Sequence, residues 1–100
     1  MSIYTPKRRK VIVIGAGVSG LATGIRLASQ GFDVTILEAN EYPGGKLSEF
    51  RLGNYRFDAG PSLFTMPQLV EDLYRIAGKN PESFRYKKLE EVCRYFFPDR

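Results

Sequence analysis

The chain has 100 residues, 43% of them hydrophobic, and carries 15 Lys and Arg against 11 Asp and Glu, a formal charge of +4 with no histidine. This length allows one small domain at most, and the missing histidine excludes a Ser–His triad, a Cys–His pair or a His-based zinc site within this stretch. A single cysteine, Cys93, rules out an internal disulfide framework and fits a reducing, cytoplasmic compartment; a buried or half-buried strand position is expected for it rather than a reactive thiol.

Residues 1–6 read as a short, poorly ordered lead-in. Lys7-Arg8-Arg9-Lys10 is the only dense basic run. A solvated arm is the favoured reading, contact with an anionic membrane surface is the alternative, and nucleic acid is disfavoured because no aromatic stacking platform accompanies the charge. The run is followed by glycines and Arg26 without a small-residue cleavage site, so it is not a signal peptide. No apolar run approaches the roughly 20 residues needed to span a bilayer.

Residues 11–14 form a β-branched run, as expected for a parallel strand buried on both faces. Gly15, Gly17 and Gly20 follow in GxGxxG spacing. In that arrangement the first glycine allows a tight turn, the second lets backbone approach a pyrophosphate, and the third lets helix pack on strand. The pattern predicts a helix over 18–30, with Leu21, Ala22, Ile25 and Ala28 facing the sheet, Gly24 allowing close approach and Gly31 at the C-terminal cap. A second strand over 32–37 then runs parallel to the first and ends on Glu38. A carboxylate there can accept hydrogen bonds from both ribose hydroxyls of an adenosine and would repel a 2′-phosphate, which disfavours NADP.

Gly44-Gly45-Lys46 can turn backbone N–H groups and a cation toward a phosphate, although Pro-Gly-Gly alone is an ordinary turn. Residues 47–52 and 55–58 flank Gly53-Asn54 as a hairpin. Thr65 and Gln68 have capping-box spacing ahead of a helix with Leu69, Leu73, Ile76 and Ala77 on its apolar face, ended by Gly78 and Pro81. Residues 93–97 read as the start of one more strand.

The pattern GxGxxGxxxGxxLxxxGxxVxxLE, followed by xxxxxGGK, resembles the flavin-binding N-terminus of the amine oxidase and phytoene desaturase superfamily. NAD dehydrogenases share the first part but generally lack the glycine pair. Phe57-Asp58-Ala59-Gly60-Pro61-Ser62, with Thr65-Met66-Pro67 behind it, is similar to the bacterial carotenoid desaturase branch. The ending Arg94-Tyr95-Phe96-Phe97-Pro98-Asp99 is similar to the strand by which these proteins enter their substrate domain.

The resemblance implies an α/β fold, a Rossmann-like βαβ unit of a glutathione-reductase-type flavoprotein followed by a β-hairpin and a helix. It implies that residues 1–100 are the N-terminal portion of an FAD-binding domain in a longer enzyme, not catalytically complete alone. Gly15, Gly17, Val18, Ser19 and Gly20 would cradle the FAD pyrophosphate, and Glu38 would bind the adenosine ribose. Gly45 and Lys46 would contact the phosphate and ribityl region, and Gly60, Pro61 and Ser62 would lie beside the isoalloxazine ring. Lys46 stands where many relatives have arginine, keeping the charge but not the bidentate fork. The implied activity is FAD-dependent desaturation of a lipophilic polyene, with peripheral membrane contact and no catalytic residue identified within the chain. Rival readings are a related flavoenzyme (carotenoid isomerase, retinol-saturase-like or amine oxidase) and a non-catalytic dinucleotide-binding module.

Overall fold

The computed structural model of the chain describes residues 7–98; the lead-in read at 1–6, and Asp99 at the end of the last motif, lie outside the described residues. Strand β1 (Lys10–Ile14), helix α1 (Val18–Ser29) and strand β2 (Asp33–Leu37) follow one another in the expected order. The strands pair in parallel, Lys10 opposite Asp33 and Ile14 opposite Leu37, with α1 as the crossover such a pair requires. The Gly31 N–H donates to the Ala28 carbonyl at 3.0 Å and the Phe32 N–H to the Leu27 carbonyl at 3.2 Å. These two bonds close the last turn of α1 as a Schellman cap and send the chain back into β2.

Burial in β1 differs from the sequence expectation. Val11 and Val13 are half-buried beneath α1, whereas Ile12 is 64% and Ile14 88% exposed. One helix covers one face, no described element covers the other, and burial therefore follows the two-residue alternation of the strand. The stripe of α1 that meets the sheet is also displaced. Gly20 lies over Val13, and Gly24 over Val34 and Ile36. Ala22 turns toward α2, and Ala28 is exposed. The two glycines are the points of closest approach and so define the centre of the packed face.

Strands β3 (Glu49–Leu52) and β4 (Tyr55–Asp58) form the expected hairpin, with Leu52 opposite Tyr55 across the Gly53-Asn54 turn. Phe50 and Phe57 stack on one face with ring centroids 5.2 Å apart. On the other face Arg56 pairs with Glu49 across the hairpin and with Asp58 at 3.0 Å, offsetting the like charges that face each other in register. Helix α2 (Pro67–Ile76) starts on proline. Pro67, with fixed φ and no N–H, suits the first helical position. The cap therefore falls on Met66, without a side-chain bond, and the Thr65–Gln68 capping box does not form.

A short 3-10 turn (Pro81–Ser83), capped by Asn80 Oδ1 accepting from the Glu82 N–H at 3.0 Å, precedes irregular chain. The strand expected over 93–97 is absent among the described residues, and Cys93 is exposed. Among the described residues no neighbouring strand is present there to take its backbone hydrogen bonds.

A Cβ at Gly20 would overlap the backbone carbonyl oxygen of Gly15, whereas one at Gly24 would meet only side-chain atoms, the closest being the Ile36 Cδ1 at 2.7 Å, the tip of a flexible side chain. In the full-length protein, Gly20→Ala is expected to cost about 1–3 kcal/mol, as overpacking against unyielding backbone does, with Gly24→Ala below that range. Thermal or urea denaturation of the two variants checks the order; equal losses would overturn it.

Candidate functional site

The glycine turn joins the end of β1 to the start of α1 at the carboxyl edge of the parallel pair. The Gly15 N–H donates to the Leu37 carbonyl at 2.6 Å, extending the strand pairing by one step into the turn. Ala16 follows at 5% exposure, the one buried hydrophobic side chain among the described residues. Its N–H donates to Glu38 Oε2 at 2.7 Å, and its carbonyl accepts from the Gly44 N–H at 2.8 Å. Gly17 and Gly44 form an isolated parallel bridge, so the glycine pair is drawn against the glycine turn.

Local backbone demands explain the pair. Gly44 has φ +123° and Gly45 φ +60°, both outside the region L side chains normally adopt. Gly45 also lies against the Gly17 Cα, where an added Cβ would sit 3.1 Å away. Gly60 serves a third close approach, because a Cβ there would overlap the Lys46 carbonyl oxygen. The Ala59 N–H donates to the Ser48 carbonyl at 2.9 Å, pinning the loop after β4 to the one before β3.

These contacts shape a cleft of about 840 Å³ between the α1 N-terminus, the 44–47 loop, the 61–66 loop and α2. Of the residues singled out from sequence, Gly17, Val18, Ser19, Gly45, Lys46 and Pro61 line it. Gly15, Gly20 and Gly60 lie in the backbone that forms it, and Glu38 stands behind the turn, bonded to Ala16. Ser62 lines a neighbouring cavity instead, with Tyr86, Leu89 and Val92. Phe64 packs edge-on against Phe84 at 5.5 Å, Phe84 contacts Tyr86 at 5.6 Å, and the Tyr86 hydroxyl donates to Glu71 Oε1 at 2.9 Å. This aromatic group, which the sequence reading missed, holds the 61–66 loop over α2.

The electrostatics divide the site in two. The N-terminus of α1 has no side-chain cap and no acid in its first turn, so its N–H groups and positive dipole end are free of internal competition. Lys46 adds a cation to the same cleft. At the other end the Glu38 carboxyl is held below its ordinary value of 4.5, first by the Asn40 N–H, then by the Ala16 N–H. Ionised at neutral pH, it is an acceptor only. The chain thus offers backbone donors and positive charge at the start of α1 and a carboxylate acceptor behind the glycine turn. The Cβ direction at Gly17 opens into this space, meeting only the Gly45 Cα at 3.9 Å. Asn40 and Ala16 were not singled out from sequence; the spacing of Asn40 two residues beyond an acid was the available signal.

A lowered folded-state pKa means the carboxylate form is favoured by folding. The contribution is complete above pH 4.5 and is lost as pH falls through the lowered value. Glu38→Gln is therefore expected to be less stable than wild type at neutral pH, with the gap closing as pH falls below the 4.5 of an ordinary glutamate. Urea titrations of both proteins across that range check this, and a pH-independent gap would show that the charge is not involved.

Residues 13–77 match the family described as the NAD(P)-binding Rossmann-like domain. The chain is 45% identical over 91 residues to a 1-hydroxycarotenoid 3,4-desaturase of Flavobacterium sp. (strain P99-3), which covers 91% of this chain and 19% of the relative. It is 45% identical over 92 residues to a 4,4'-diapolycopene oxygenase of Methylomonas sp, covering 91% of this chain and 18% of the relative. It is 44% identical over 89 residues to a 4,4'-diapophytoene desaturase (4,4'-diaponeurosporene-forming) of Staphylococcus aureus (strain MRSA252), covering 88% of this chain and 18% of the relative. The chain spans about a fifth of the length of these curated relatives. The matched span runs from the end of β1 through the glycine turn to the C-cap of α2, and the chain belongs to the NAD(P)-binding Rossmann-like domain family.

Proposed function

We propose that the chain is the N-terminal portion of an FAD-binding domain, of glutathione-reductase type, in a longer oxidoreductase that desaturates a carotenoid-like polyene. The observation that carries the reading is the bridge between the Gly44-Gly45-Lys46 loop and the glycine turn, in a chain 45% identical to a hydroxycarotenoid desaturase. A second phosphate-facing loop suits a dinucleotide that is gripped along its length, as FAD would be, and the ionised Glu38 argues against a 2′-phosphate.

Gly17, Val18, Ser19 and Gly20 hold the diphosphate at the uncapped helix start, Gly15, whose N–H is taken by the Leu37 carbonyl, shapes the turn that brings them there, and Glu38 accepts from the adenosine ribose. Gly45 and Lys46 cover the phosphate and ribityl region, while Gly60 and Pro61 border the isoalloxazine ring and Ser62, in the neighbouring cavity, does not. Bound flavin supplies a hydride acceptor for a carbon whose neighbour loses a proton. The chain's own part is to bind, orient and exclude water; no residue here is assigned to proton transfer. A polyene substrate dissolves in lipid, so peripheral membrane contact on the cytoplasmic side belongs to the same reading. Among the described residues no helix is long and apolar enough to cross a membrane. The equal identity to a diapolycopene oxygenase favours one second reading, oxygen insertion into the same substrate class.

Purified full-length protein is expected to show a flavin band near roughly 450 nm and to convert phytoene-type polyenes to products lighter by two hydrogens per step. Products gaining oxygen would favour the oxygenase reading. Turnover of an amine with none of any polyene would overturn the substrate class, and a colourless protein that binds NADH would overturn the flavin. Gly17→Val is expected to fold, since the Cβ meets only the Gly45 Cα at 3.9 Å, yet to retain no flavin because its side chain fills the diphosphate approach. Normal flavin content in the folded variant would make the glycine structural only.

A further inference from the structure

Asn40 belongs to none of the motifs, yet it holds the carboxylate on which nucleotide recognition depends. Its backbone N–H and its side-chain Nδ2 both donate to Glu38 Oε1, each at 2.9 Å. The Ala16 N–H donates to Oε2 at 2.7 Å. A carboxylate has about four lone-pair positions. Two donors on Oε1 fill that oxygen, and one donor on Oε2 leaves a single position on it among the described residues.

We infer that Asn40 is a positioning residue for nucleotide recognition: its amide clamps Glu38 Oε1, fixes the rotation of the carboxylate, and leaves Oε2 as the oxygen presented to a ribose hydroxyl. The inference rests on the reading of the site as an adenosine dinucleotide site. It changes that reading in one respect. Glu38 presents one open acceptor to the ribose rather than a symmetrical pair, and its orientation is set by a neighbour two residues along. A glutamate side chain free to rotate loses conformational freedom when it captures a ligand, and a clamp in place beforehand removes that loss from binding. The backbone N–H of Asn40 remains in any substitution, so removing the amide tests the clamp without dismantling the turn. The downward displacement of the Glu38 pKa, with the Asn40 backbone as its first cause and the Asn40 side chain among the others, accords with a carboxylate held ionised in this position.

The test is calorimetric titration of full-length apoprotein with ADP and with 2′,3′-dideoxy-ADP, which lacks both ribose hydroxyls. Asn40→Ala is expected to weaken ADP by about three- to tenfold, the effect of losing one modest hydrogen bond, and to leave dideoxy-ADP unchanged. Asn40→Asp, which replaces the donor with a like charge, is expected to weaken ADP further than Asn40→Ala. The double variant Glu38→Gln, Asn40→Ala is expected to bind ADP no worse than Glu38→Gln alone, because the amide acts only through the carboxylate. Equal weakening of both probes, or additive losses in the double variant, would make Asn40 structural and overturn the inference. So would unchanged ADP binding in Asn40→Ala. Wild type that binds ADP but carries no flavin would overturn the FAD assignment and leave the role of Asn40 standing. Wild type that binds no ADP would remove both.

Discussion

Ala16 makes two backbone hydrogen bonds in opposite directions, and the rest of the site is hung on them. Its N–H reaches the carboxylate beyond β2, and its carbonyl receives the Gly44 N–H from the loop beyond that. Three stretches of chain, distant in sequence, are thereby fixed around one methyl side chain that is 5% exposed. Partly shielded from water, such bonds are stronger electrostatically than the same bonds at an open surface. Without them the glycine turn would still follow β1, but neither the acid nor the second glycine loop would be held against it.

Around that node the molecule is built by stacking backbone on backbone. Gly20 sits under the Gly15 carbonyl, Gly45 against Gly17, and Gly60 under the Lys46 carbonyl. Each contact brings chain closer than any side chain would allow, and together they line up the turn, the 44–47 loop and the 59–62 loop along one side of α1. Charge is sorted along the same line. The uncapped helix start and Lys46 stand at one end, the Glu38 carboxylate at the other.

The parts of the fold legible from sequence are those decided locally. The strand at β1, the helical spacing after Gly17, the cap at Gly31 and the two-residue hairpin turn each follow from a few neighbouring residues. The glycine turn and Glu38 were legible as a site because their spacing is itself the geometry. What escaped depends on contacts between distant segments. The exposure of Ile12 and Ile14, the missing strand at 93–97 and the exposed Cys93 turn on whether another element lies alongside. The start of α2 at Pro67 was misread because two local signals competed, and proline's fixed φ overrode the Thr65 cap. Ala16 escaped for a different reason: its contribution is made entirely by backbone atoms, and alanine announces nothing.

That last point bears on how such a site changes over time. The bond from the Gly44 N–H to the Ala16 carbonyl uses only groups that every residue other than proline possesses, so most mutations cannot delete it, whereas the bond from the Ala16 N–H also needs the Glu38 carboxylate. What mutation can alter is room. At Gly20 and Gly60 any replacement adds a Cβ into occupied backbone, and no conservative neighbour exists in the genetic alphabet. The cradle is therefore inherited as a path of the chain rather than as a set of side chains. Side chains lining the cleft can be replaced without moving that path, whereas a Cβ at Gly20 or Gly60 cannot be added without moving it.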